Sequence, residues 1–370
     1  MTRFSNSVSR RAALMGVAGT AFMAAAPAFA AKKDKAPSSV TIGSAADGLA
    51  HADSLLTRYG KLAIPAGGRV LPFFQVELVE EAGERVEDRK YHANATADST
   101  FQVAGIPQAE VQAAVDRLYV QYIEGLKAAG YVVLTQADAE ASEHWRQLKP
   151  GLKPSPFAAE TGKRGKSTFY GPGSEGIYLA AGDLRLFGGG NVLSGFANVG
   201  GAMEQGTSEY YVPTELQAAM LGIELAVGFV DIKGEGGGKY SNIFGDGAVN
   251  IKGNAAMTVI PERSRLWFIQ YPGSDKGRQE LVLSKTVLPA VNPITGTTDV
   301  TSKGQKLGDA AGTVIGMFTG TGGAYSTKTY RIDIDAAAFP GALEGSLGGV
   351  SAAMVQRLTG LPSAPAGGKR

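Results

Sequence analysis

Asp333 and Asp335 stand two residues apart at the end of a segment, Thr329–Ile334, whose pattern predicts a strand, so both carboxylates are expected on the same side. Such a pair can do acid–base work or hold a divalent cation, and a solvent-facing strand edge accounts for it equally well. These are the catalytic candidates. A second group is basic: Lys163, Arg164 and Lys166 fall within Gly162–Thr168. A phosphate-binding loop would need glycine where Glu160 stands, so the stretch reads as a solvated basic loop able to hold an anion such as a lipid head group or an acidic polysaccharide. The third group is aromatic. Tyr210 and Tyr211 lie beside glycine-rich sequence and could line a ligand groove or pack at the entry to a helix.

Other chemistries find little footing. Gly349-Val-Ser351-Ala-Ala is the nearest approach to a nucleophile elbow and lacks its second glycine. The glycine runs at 188–190, 234–238 and 320–323 place Leu193, Lys239 and Tyr325 where a dinucleotide fingerprint needs glycine, so they read as turns. His51, His92 and His144 are the only histidines, and none is paired at metal-binding spacing. No cysteine is present, which excludes disulfides, thiolate nucleophiles, iron–sulfur clusters and lipidation at a cleavage-site cysteine. No metal is expected, and the sequence assigns no cofactor.

The elements that must position these groups predict a mixed α+β fold. Arg69–Glu80 reads as a strand, Glu80–Lys90 as an acidic turn, and Ser99–Ala104 as a further strand. Pro107 opens the clearest helix, with Val111, Val115, Leu118, Tyr119, Tyr122 and Leu126 on one face and Gly130 as its left-handed cap. Tyr131–Leu134 is a short buried strand and Ala137–Leu148 a second helix, which completes a strand–helix–strand–helix unit over 99–148. A strand-rich, glycine-rich C-terminal half follows. Short strands are expected at Ile177–Ala180 and Leu184–Phe187, and a short helix at Thr214–Met220. An alternating strand through Ile223–Phe229 meets a glycine turn at 234–238. Strands at Ala248–Ile260, Leu266–Tyr271, Leu281–Leu288 and Thr329–Ile334 precede a helix at Ala342–Leu358. The organisation is an α/β domain at 41–150, a glycine/proline-rich connection at 151–210 and a β-rich domain with a C-terminal helix at 211–360. Flexible ends at 31–40 and 361–370 flank them.

Residues 1–30 have the three parts of a secretory signal. Arg3, Arg10 and Arg11 are followed by an uncharged Ala12–Ala26, then by Ala-Pro-Ala-Phe-Ala with small residues at Ala28 and Ala30. Cleavage after Ala30 leaves a 340-residue chain and removes three arginines. That leaves 33 basic against 34 acidic residues, so no net basic field remains to attract nucleic acid. No later apolar run is long enough for a spanning helix. Ser9-Arg10-Arg11 with Leu14 resembles the twin-arginine export motif, although Ala13 stands where an aromatic is usual. That resemblance implies a chain folded before export to the periplasm or cell envelope; Sec export and a retained membrane anchor are the alternatives.

The segment Leu126-Lys-Ala-Ala-Gly-Tyr-Val-Val-Leu134, with its flanking helices, resembles the small α/β domain of TolB-like periplasmic proteins and of curli-type secretion proteins. Gly222–Gly238 is similar to sequence in exported bacterial envelope proteins of unassigned function. The resemblance implies an envelope protein and supplies no mechanism; together with the export signal and the missing catalytic signatures it points to a non-enzymatic envelope protein that binds another protein or a surface polymer. A periplasmic binder of a small apolar or amphipathic ligand and a carboxylate-dependent enzyme are the alternatives. The sequence assigns no oligomeric state.

Overall fold

Twenty-two residues from Arg69 to Lys90 form one continuous strand, β3, and the rest of the fold is arranged along it. The computed structural model describes residues 39–60, 64–65, 67–90, 93–160, 165–179, 206–235, 250–270, 278–302, 305–306 and 323–359. All of these belong to one unit, Ser39–Arg370. In chain order its elements begin with β1 (Val40–Ile42), α1 (Ala45–Leu55), β2 (Leu56–Tyr59), β3, β4 (Ala93–Ala104), α2 (Gln108–Ala128) and β5 (Val132–Val133). Then come α3 (Gln136–Ala139), α4 (Glu143–Leu148), β6 (Phe157–Glu160), β7 (Gly165–Tyr170), a helix α5 over 206–216 and β8 (Ala219–Glu235). The last are β9 (Asn250–Val259), β10 (Arg265–Ile269), β11 (Gln279–Leu283), β12 (Val287–Pro289), β13 (Ile294–Asp299), β14 (Gly323–Ile334) and α6 (Phe339–Thr359).

The class is α+β, with a single mixed sheet whose main path runs β1-β12-β9-β8-β3-β4-β14-β13. Both long strands change partners along their length. β3 lies parallel to β8 over Val70–Leu78, antiparallel to β7 on its other edge over Val76–Ala82, and antiparallel to β4 over Glu81–Lys90. β8 pairs with β10 near its start and with β9 from Val227 onward. The regions 41–150 and 211–360 therefore share one sheet through the β3–β8 pairing.

Strand alternation sorts the core. Val70, Phe74, Val76 and Leu78 of β3 and Leu221, Ile223, Leu225 and Val227 of β8 face one side, buried beneath α1, α2 and α6. Leu71, Phe73, Met220 and Trp267 face the other, against Trp145, Leu148, Val212 and Leu216 from α4 and α5. α2 is placed by its buried stripe Val111, Ala114, Val115, Leu118, Tyr122 and Leu126, and Gly130 ends it at φ +86°.

Several boundaries differ from the sequence expectation. Glu80–Lys90 continues β3 rather than turning, because pairing with β4 supplies its backbone partners as far as Lys90. Ala137–Leu148 is two helices, since Ser142 caps a fresh start by accepting from the Trp145 N–H at 3.0 Å. The expected helix Thr214–Met220 instead covers 206–216, and the strand has begun by Ala219. Ile177 makes an isolated bridge to Lys153, and Leu281–Leu288 divides into β11 and β12. Leu184–Phe187 and the turn after Glu235 lie outside the described residues.

Candidate functional site: a groove over the last helix

α6 is built largely from small residues, and this allows two neighbours to approach its backbone. Gly345 and Gly349 are four apart and share a face. A Cβ on Gly345 would sit 2.5 Å from the Gly43 carbonyl oxygen, and one on Gly349 would sit 2.6 Å from that of Ser44. A Cβ on Gly48 of α1 would meet the Gly349 carbonyl oxygen at 1.9 Å. On the other flank Gly348 faces Leu118 and Gln121 of α2, and Gly125 faces Val355. Ion pairs fix the same registers. Arg117 donates from Nε and Nη2 to both oxygens of Glu344 at 3.0 and 2.9 Å, and Arg357 donates to Asp53 at 2.6 Å. The three helices therefore run parallel, with α6 sunk between α1 and α2.

Above this sunken helix lies a groove of about 630 Å³, open along one side and mostly apolar. Gly348, Ala352 and Val355 form its floor, and Leu49 and Leu118 are among its walls. Gln121, Glu124, Glu344 and Gln356 give it a polar rim. Tyr122 also lines it, but its hydroxyl donates to the Leu221 carbonyl at 3.3 Å, and burial pushes the phenol well above its usual range. Ser351 differs from these. It is 4% exposed and lines the groove, yet its hydroxyl has no hydrogen-bond partner among the described residues. An apolar trough with one unused hydroxyl can hold an apolar body that carries an acceptor.

The opposite sheet face carries a charge ladder beside the second core. Arg263 pairs with Glu77, and Arg265 donates to Glu224 at 2.6 Å. Arg278 reaches Glu224 at 3.0 Å and Glu280 at 3.2 Å while its guanidinium lies 4.6 Å from the Trp267 ring centroid. Burial pushes the Glu77 carboxyl up, and Arg263 only partly offsets this. Three carboxylates meet three guanidiniums here, so the ladder neutralises itself and ties β3, β8, β10 and β11 together. Gly222 leaves room for Trp267, whose indole lies 2.3 Å from where a Cβ would be.

The residues singled out in the sequence are scattered. Asp333 is half-buried near the end of β14 and pairs with Arg331 at 2.9 Å. β14 stops at Ile334, so Asp335 lies past the strand, where its Oδ1 accepts from the Ala337 and Ala338 N–H groups at 2.9 and 3.2 Å on the approach to α6. Lys166 is exposed on β7, opposite Glu81 and Glu160 in register, while Lys163 and Arg164 lie outside the described residues. Tyr210 and Tyr211 sit on α5. Tyr211 stacks on His144 with centroids 4.7 Å apart and meets Tyr210 edge-on. His144 Nδ1 is 2.6 Å from Glu215 Oε1, and Ser142 donates to the other oxygen of that carboxylate. Burial opposes the ionised form of Glu215, but the bonds from Ser142 and His144 outweigh it and hold the carboxyl below its ordinary value. Among the described residues no cluster of three or more acidic or histidine side chains could hold a metal ion, and no helix is long and apolar enough to cross a membrane.

None of the described candidates lines the groove, and Ser351, weighed in the sequence only as a nucleophile, does. The available signal was the small-residue run Gly345-Ser-Leu-Gly-Gly-Val-Ser-Ala-Ala353 within a helix. Its partner helices cannot be read from spacing alone. Comparison of the chain with protein-family models, characterised proteins and solved structures found no match.

Proposed function

We propose that this is an exported, non-enzymatic binding protein of the cell envelope that holds a small amphipathic molecule in the groove over α6. The groove itself carries the reading: about 630 Å³ lies within the range of small-molecule sites, and apolar walls with a polar rim suit an amphipath. Residues 1–30, with their paired arginines and small-residue cleavage site, support the envelope location. The engagement of Asp333 with Arg331 and of Asp335 at the start of α6 favours binding over carboxylate catalysis. The test is titration with 1-anilinonaphthalene-8-sulfonate, an environment-sensitive apolar probe, of the wild type and of Ala352→Leu, which fills the floor. Saturable binding that Ala352→Leu abolishes is expected. Equal binding by both proteins would overturn the assignment.

A second reading is an envelope protein or surface polymer as partner, and β13 favours it. This strand ends the main sheet path, pairs only with β14 among the described residues, and is exposed from Thr297 to Asp299. An extended segment could add to such an edge. A photo-crosslinker at Thr297 should then capture one envelope component in cells. Capture indistinguishable from that at exposed Lys127 would remove this reading.

A further inference from the structure

Resting on the reading of the groove as a binding site, we infer that its ligand is a single-chain amphipath with a zwitterionic head, oriented with its tail toward Thr359 and an acceptor oxygen at Ser351. The groove follows α6 from Gly345 to Thr359, a length of about 21 Å at the helical rise. The groove is open along one side, so an α-helix about 10–12 Å across could rest on it but would hold its backbone away from the trough and the buried Ser351 hydroxyl. An extended peptide is narrow enough, but it brings a backbone N–H and C=O at every residue, and these need partners. The floor of Gly348, Ala352 and Val355 has no side-chain polar atom to offer, and its backbone groups are committed to the helix. A polymethylene chain meets both constraints, because it is narrow and has no polar groups to satisfy.

Ser351 sets the register of that chain. Its hydroxyl is a buried polar group in the trough with no partner among the described residues, and a ligand oxygen there would accept from it. From Ser351 to Thr359 is about 12 Å, and an extended chain advances about 1.2 Å per bond, so about ten carbons lie beyond the oxygen. In the other direction the groove reaches Glu344, which is held by Arg117. Arg117 is 54% exposed and Glu344 26%, so both keep hydrogen-bonding capacity toward solvent. A cation and an anion side by side complement a head that carries both signs, and a purely anionic head would meet Glu344.

Lysophosphatidylcholines with acyl chains of six to sixteen carbons, titrated calorimetrically below their micellar concentrations into the full chain, test this. Affinity should rise about two- to fourfold per methylene and level off near ten to twelve carbons. Ser351→Ala should weaken every member about three- to tenfold without changing the slope per methylene. Ala352→Leu should flatten the slope while the thermal midpoint stays unchanged. Fatty acids of equal chain length should bind more weakly at pH 8. Affinity independent of chain length, or a Ser351→Ala variant that binds like wild type, would overturn the inference. If 1-anilinonaphthalene-8-sulfonate still binds in a manner blocked by Ala352→Leu while the lysolipids do not, the groove remains a binding site and only its occupant is wrong. If neither probe responds to Ala352→Leu, both readings fall.

Discussion

Gly48 of α1 lies against the Gly349 carbonyl of α6 so closely that a Cβ on Gly48 would be 1.9 Å from that oxygen. No rotamer change can relieve this contact, since both partners are backbone. Gly48→Ala must therefore push α1 off α6 and should cost about 1–3 kcal/mol despite alanine's better helix propensity. Gly341, in the first turn of α6, has open space where its Cβ would be, so Gly341→Ala should gain about 0.5–1 kcal/mol. Urea unfolding of the two variants checks the contrast. Equal effects would mean that close helix contact does not govern α6.

Gly222→Ala tests the other face of the sheet. Its new methyl would overlap the Trp267 indole, which stacks on Phe73 at 6.0 Å and lies beneath Arg278. The indole must leave that position, so tryptophan emission should shift to the red and stability should fall by about 1–3 kcal/mol. Trp145 is the only other tryptophan and sits in the same cluster, so Gly222→Ala in a Trp145→Phe background reports on Trp267 alone. An unshifted spectrum there would show that the ring tolerates the methyl.

What could be read from the sequence follows from the range of the interactions. α2 was legible because its burial is periodic within the helix, from Val111 to Leu126, and because Gly130 alone can take φ +86° without strain. The final helix and the strands around β9, β10 and β14 carried comparable local patterns. The extension of β3 through Glu80–Lys90 was not legible: its composition resembles a turn, and only pairing with β4 makes it a strand. The split between α3 and α4 was written in Thr135-x-x-Asp138 and Ser142-x-x-Trp145, short caps that an unbroken helical reading passed over. The groove was the least visible. It exists because α1 and α2, some 50 residues apart at their nearest, both press on a helix some 200 residues further on. Nothing local to Ser351 marks it as facing a trough.

Glu215 joins α5 to the start of α4 by accepting from Ser142 and from the ring and backbone of His144. Burial opposes ionisation, but these bonds outweigh it and hold the carboxyl below its ordinary value, so the folded state binds that proton less readily than the unfolded chain. The resulting stability is present above about pH 4.5 and is lost as pH falls through the folded value. Glu215→Gln should therefore unfold at a lower temperature than wild type at pH 5, and the gap should close toward pH 2–3. The group is largely solvent-screened, so the gap should be modest, within about 1 kcal/mol. A gap that does not change over this range would show that the carboxylate charge plays no part.

Glu77 should behave with the opposite sign. Burial raises its carboxyl, opposed by the guanidinium of Arg263 and a hydrogen bond from Ser167 and reinforced by the nearby charge of Glu224. The folded state thus holds the Glu77 proton more tightly than the unfolded chain, and its contribution is fully present below about pH 4.5. It declines as pH rises through the folded value, because the buried carboxylate must then ionise. Glu77→Gln cannot ionise, so the wild type should lose stability relative to this variant between pH 4 and pH 7. Arg263 is 32% exposed on its side chain and can turn to water when its partner becomes neutral, which limits the penalty of the substitution itself. Thermal unfolding of both proteins across that range decides the matter: a wild type that gains on Glu77→Gln as pH rises would mean that the Arg263 pairing, and not burial, sets the protonation of Glu77.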